Sequence, residues 1–184
     1  MIPIMFADFE SQLRELRGHE LTFASGQFLF HLGDQVNLMH FIEAGTVHLI
    51  RYQSDGFTLV LQRAGRGSML AEASLYADAY HCDAVVLAST RTLAFPVKEI
   101  RARLLRSPEF SQAWARYLAH EVQKARLQVE ILSIKTVAAR LDAWITSNGG
   151  NVPGKGEWKA VASQIGVSPE ALYRELAKRR SNRG

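Results

Sequence analysis

A chain of 184 residues, 47% of them hydrophobic, can bury one moderate core and a small second one. It has no run of about 18 apolar residues and no basic, apolar leader before Phe9, so it is expected to be cytoplasmic and to keep clear of membranes. The single Cys82 excludes an intramolecular disulfide and, with no Cys or His cluster at ligand spacing, a structural zinc or iron–sulfur centre.

Residues 8–18 place Phe9, Leu13 and Leu16 at helical spacing and predict a short helix. From Glu20 to Phe95 short apolar and β-branched runs are separated by Gly26, Gly33-Asp34, Gly45, Asp55-Gly56 and Gly65-Arg66-Gly67, the punctuation of an antiparallel β-roll. Thr46 to Tyr52 and Phe57 to Leu61 read as a hairpin joined through Ser54, Asp55 and Gly56. Pro96 opens a helix through Ile100 and Leu104 that breaks at Ser107-Pro108. The longest helical pattern runs from about Glu109 to Ser133. Its apolar positions Leu118, Val122, Ala125, Val129 and Leu132 follow a heptad and predict a dimer seam. Trp114 breaks the strict phase of that seam. A second stripe, Leu127, Ile131 and Ile134, suits docking onto the helix's own subunit; a helix buried inside a monomer is the competing reading. Val137 to Ile145 predicts another helix, stopped at Asn148, Gly149 and Gly150, and residues 148–156 read as a linker.

Beyond it, charge and pattern change together. The first 134 residues carry 13 basic and 14 acidic side chains and the last thirty carry 7 and 3, a distribution suited to phosphate contact, although a solvated tail gives the same count. Val161 and Ile165 give a first short helix its apolar face, Ala162 is small where two helices would cross, and Gly166 permits a turn with positive φ. Ser168 caps a second helix that begins Pro169, Glu170 and turns Leu172 and Leu176 inward. This is the layout of a helix-turn-helix. Its outward residues are the candidate DNA contacts: Ser168, Glu170 and Tyr173, with Arg174 as the first choice for a base and Lys178, Arg179, Arg180 and Arg183 for phosphates.

The segments Phe28 to Asp34, Phe41 to Val47, Gly67 to Glu72 and Gly166 to Arg174, in that order, make the chain resemble the CRP/FNR family of bacterial transcription regulators along nearly its whole length. The resemblance implies an α+β protein: a jelly-roll-like sensory domain over residues 1–108 with flanking helices, a dimerisation helix over 109–134 and a helix-turn-helix domain over 135–184. It further implies a homodimer reading two half-sites about one helical turn apart on double-stranded DNA, with RNA polymerase as a further partner. In members that bind cyclic nucleotides, a Gly-Glu pair is followed about ten residues later by Arg-Ser or Arg-Thr. The effector pocket would then comprise Met69, Leu70, Ala71, Glu72, Cys82 and Asp83. Here a carboxylate stands where the phosphate's cation belongs, which disfavours cyclic AMP, with Arg66 and Arg91 the only nearby cations; the effector, if any, is unknown. The family usually adds a two-stranded wing after the second helix, and the sequence ends at Gly184 without one. Glu175 also occupies a position that the motif usually fills with an apolar residue.

Two other functions are weighed against this one. A cupin-type enzyme needs a His-x-His pair with a following Glu and a further His, and His31, His40, His48 and His81 lack that spacing. Since no nucleophile–base arrangement surrounds any Ser or Cys82 either, no enzymatic activity is expected. A degenerate helix-turn-helix that binds a protein partner is the alternative function. His81 reads as a surface or packing residue in preference to a haem ligand. Cys82 reads as a partly buried structural thiol, with a sensor of oxidants or electrophiles as the alternative.

Overall fold

The computed structural model describes residues 9–54 and 58–181. Asp55, Gly56, Phe57 and Arg183 lie outside the described residues. The contacts divide the chain into two units, one ending at Tyr117 and one beginning at Leu118. The protein is of the α+β class, and none of its described helices is long and apolar enough to cross a membrane.

The first unit is built on an antiparallel sheet. Its strands are β1 (His19–Phe23), β2 (Phe28–Phe30), β3 (Leu38–Tyr52), β4 (Thr58–Ala64), β5 (Met69–Leu70) and β6 (Asp83–Pro96). The path runs β1-β6-β3-β4, with β2 also on β6 and β5 on β3. Two long strands therefore carry the roll. β3 pairs with β6 along its length, from Leu38 opposite Pro96 to Ile50 opposite Asp83, and adds β5 at one end and β4 at the other. Such a ribbon must bend, and the register of β3 on β6 shifts between Ile42 and Ala44, between Ala44 and Thr46, and between Thr46 and Val47. Gly45 sits among these bulges at φ +98°. Its missing side chain admits Thr90, whose hydroxyl accepts from the Thr46 N–H at 3.1 Å and donates to the Ala88 carbonyl at 2.7 Å. The sequence reading began this strand at Thr46, eight residues late, because it took Gly45 for a turn.

Helical residues 9–14 (α1) bury Phe9 and Leu13. After β6 come α2 (Val97–Arg106) and α3 (Pro108–Ser133), separated by Ser107 in extended geometry. Phe110, Trp114 and Tyr117 of α3 are buried in the first unit. Phe9 stacks on Tyr117 at 4.5 Å between ring centroids, and the Met69 N–H donates to the Tyr117 hydroxyl at 2.8 Å. Trp114 breaks the heptad phase because this part of α3 serves the roll.

His40 is a buried imidazole on β3, 3.3 Å from the Thr92 hydroxyl and flanked by the rings of Phe23 and Phe30. Burial lowers its pKa from 6.5 to about 4. The unfolded chain takes up this proton below about pH 6.5 and the folded chain only near pH 4, so the stability that neutral His40 contributes is fully present above pH 6.5 and is lost as the pH falls through that window. Denaturant titrations are expected to lose roughly 2 kcal/mol between pH 6.5 and 5 from this group. His40→Gln should flatten that dependence; an unchanged slope would show that His40 is not its source.

The second unit comprises the rest of α3, α4 (Val137–Ser147), α5 (Trp158–Gln164) and α6 (Pro169–Ser181). Its core is Ile131, Leu141, Val161, Ala162, Ile165, Leu172 and Leu176, with Trp144 and Trp158 packed at the margin. Residues 148–156 are no spacer within it. Gly149 takes φ +76° at the end of α4, Pro153 is buried, and the Gly154 N–H donates to the Glu157 carboxylate at 2.8 Å. A side chain the sequence reading passed over holds the unit together. The Arg140 guanidinium donates to the carbonyls of Leu132 (2.9 Å), Ile134 (2.7 Å), Ile165 (3.0 Å) and Gly166 (3.0 Å). It thus joins the ends of α3 and α5, where unpaired carbonyls and the helix dipoles favour a cation.

Candidate nucleic-acid interface

The turn between α5 and α6 follows from its residues. Gly166, at φ +64°, ends α5 in a Schellman arrangement: the Val167 N–H reaches the Ala162 carbonyl at 2.9 Å and the Gly166 N–H the Ser163 carbonyl at 3.3 Å. A Cβ on Gly166 would meet the Leu132 side chain at 2.6 Å. Two residues on, the Ser168 hydroxyl accepts from the Ala171 N–H at 3.2 Å and caps α6. The Glu170 carboxyl is held below the usual carboxylate range by its own backbone N–H and by the Ser168 hydroxyl, which keeps it ionised in the first turn.

The predicted contact residues of α6 separate onto three faces. Leu172 and Leu176 are buried. Glu170, Arg174 and Lys178, four residues apart, form one exposed row, with Ser168 at its start. Tyr173 and Arg179 are half-buried, and Arg180 is exposed. Arg179 is committed within the unit: it pairs with Asp142 and Glu175 and donates to the Ala138 carbonyl. The structure thereby gives Glu175 a partner in place of the expected apolar contact. Tyr173 leans on Trp158, ring centroids 5.3 Å apart, and the Arg180 guanidinium lies over the same indole at 5.0 Å.

The predicted seam on α3 is solvent-facing in the single chain. Leu118 is half-buried, Val122 is 48% exposed, Val129 64% and Leu132 42%, and Ala125 is exposed. Of the second stripe, Ile131 is buried and enters the second unit's core, Ile134 is half-buried, and Leu127 is exposed.

The predicted effector residues lie on β5, in the turn that follows it and at the start of β6. Met69 and Leu70 are fully buried in β5. Ala71 follows at φ +71°, the only described non-glycine residue with positive φ, and Glu72 opens a short 3-10 turn, Glu72–Ser74. Cys82 is 1% exposed. Burial raises its thiol to about 11, with Asp83 and Glu72 adding to the rise and Arg51 opposing it. The nearby cation is therefore Arg51 of β3, which donates to the His81 carbonyl at 2.6 Å; Arg91, named as a candidate from the sequence, pairs with Glu43 instead. Asp83 is buried and already bonded, with its Oδ1 3.0 Å from His31 Nδ1 and accepting from the Leu32 N–H at 3.3 Å. The Ser74 hydroxyl lies 3.0 Å from His81 Nδ1, a Ser–His contact the spacing did not suggest, but Ser74 is buried and not presented as a nucleophile. Native Cys82 is expected to resist iodoacetamide at neutral pH and to react on unfolding, because the thiolate is the reactive form. Rapid labelling of the folded protein would restore the oxidant-sensor reading.

The cyclic nucleotide-binding domain family matches residues 20–107. No curated protein matches the sequence. Among solved structures, the chain is similar to the c-di-GMP responsive global regulator CLP of Xanthomonas campestris at 17% identity, over 96% of this chain and 92% of that one, with a TM-score of 0.67. It is similar to FixK2 from Bradyrhizobium japonicum at 13% identity, over 91% and 86%, with a TM-score of 0.73. A CRP-family transcriptional regulator from Thermus thermophilus is 16% identical over 88% and 85%, with a TM-score of 0.64. The matched domain is followed by the helices α3 to α6. In fold the chain is similar to these solved transcriptional regulators.

Proposed function

We propose that the protein is a transcription regulator that binds double-stranded DNA as a cytoplasmic homodimer, without catalytic activity and without dependence on cyclic AMP. The observation that carries this reading is the exposed row Glu170, Arg174 and Lys178 on a capped helix whose opposite face is buried, at the angle-setting turn of Gly166. Arg174 is suited to a guanine edge, Glu170 to a cytosine amino group, and Ser168, Lys178 and Arg180 to phosphates. Homodimerisation is supported by the exposed seam, with β-branched Val122 and Val129 at one heptad position and Leu118, Ala125 and Leu132 at the other, a choice that favours two parallel strands. Independence of cyclic AMP is supported by Asp83, which would place a second anion beside the phosphate. Contact with RNA polymerase belongs to the same reading.

The test is fluorescence anisotropy with a pool of random duplexes and no effector, at two salt concentrations. Arg174→Ala is expected to weaken selective binding by about 1–3 kcal/mol and to relax preference at one base pair per half-site. Binding that ignores salt and survives Arg174→Ala would favour the alternative, a protein partner docked on α6.

A further inference from the structure

Two adjacent arginines near the end of α6 have opposite fates. Arg179 spends its N–H donors on Asp142, Glu175 and the Ala138 carbonyl. Arg180 instead lies with its guanidinium over the Trp158 ring, and no carboxylate among the described residues forms an ion pair with it. Its guanidinium carbon lies 5.0 Å from the indole centroid, within cation–π range, and a cation held over a ring face by its charge keeps N–H donors for an anion. The indole is itself fixed on two sides: its Nε1–H donates to the Pro153 carbonyl at 3.0 Å, and Tyr173 packs against it. Pro153 is buried, and Glu157 closes the preceding turn on the Gly154 N–H.

We infer that Trp158 is a positioning residue for a phosphodiester contact: it holds the Arg180 guanidinium so that its N–H donors face the DNA backbone. The inference rests on the DNA-binding reading and adds a residue outside α6 to it. Tyr173 then steadies the indole in place of reading a base. Lys178 needs no such support, since an ammonium meets phosphate as a point charge from any approach, whereas a forked guanidinium gains from being held in one plane.

The experiment uses the full chain and a random-sequence duplex of about 30 base pairs, because a backbone contact does not require the operator. Arg180→Ala is expected to lower the slope of log K against log salt by about one per subunit. Trp158→Leu should lower it by most of that amount although it removes no charge, Trp158→Phe should retain it, and Trp158→Leu with Arg180→Ala should lose no more than Arg180→Ala alone. In the wild type the Arg180 Nε–H resonance should be displaced upfield by the indole. An unshifted resonance, or a Trp158→Leu slope equal to that of the wild type, would overturn the positioning role while leaving DNA binding intact. A wild type with no salt-dependent duplex binding would overturn both. Should Trp158→Leu fail to fold, the resonance and the Trp158→Phe slope decide alone.

Discussion

Gly45→Ala is expected to destabilise the roll by on the order of 4 kcal/mol, read as a fall in Tm on the order of 10 °C. Two terms add. A side chain at φ +98° is strained in any surroundings, and here its Cβ would lie 2.2 Å from the Thr90 hydroxyl, 2.5 Å from the Ser89 carbonyl oxygen and 2.6 Å from the Thr90 Cα. Because the last two are main-chain atoms, no rotamer change relieves the clash. Thr90→Ala in the same chain is therefore expected not to rescue it, whereas a rescue would mean that the bulge can shift. Gly26, where a Cβ would meet nothing within 4 Å, serves as the comparison. Gly26→Ala carries only the backbone strain and should lose clearly less.

Arg140→Met should destabilise the second unit by roughly 2–4 kcal/mol, since four carbonyls lose a charged donor and the methionine stem keeps only the packing. Amide exchange distinguishes this from a general weakening: protection should fall in α5 and α6 and hold in β3 and β6. Arg140→Lys should recover only part of the loss, because an ammonium cannot reach four acceptors in a planar fan. Uniform loss of protection across both units would show that Arg140 does not act within its own unit alone.

Much of the second unit was legible because its signals are local. Ser168, Pro169, Gly166 and the spacing of Leu172 and Leu176 each act within a turn or two, and the helix ends lie close to where they were expected. The roll was legible as a class and not in its strands. Its bends occur inside β3, at Gly45, and glycine in a strand interior looks like glycine in a turn until the opposing Thr90 is known. The candidate interface divides the same way. The exposed row Glu170, Arg174 and Lys178 follows from helical spacing. Arg179 and Arg180 are neighbours of the same type, and only Asp142 and Trp158, 37 and 22 residues away in the chain, decide which is bonded internally and which faces out. Arg140 gave no signal, because its partners are carbonyls, which no residue name reveals. Arg51 stayed hidden for the same reason, its bond being to the His81 carbonyl.

The acceptors of Arg140 have a consequence for how this unit tolerates change. Every residue brings a carbonyl, so Leu132, Ile134 and Ile165 can be exchanged for other side chains without deleting a single one of these bonds, while the donor side is concentrated in one guanidinium. In a saturation screen the bonds should appear as one intolerant position whose partners register only through packing, and pairwise epistasis with 140 should be weak even at residues it touches. The helices α5 and α6 can then drift in sequence beneath a fixed frame.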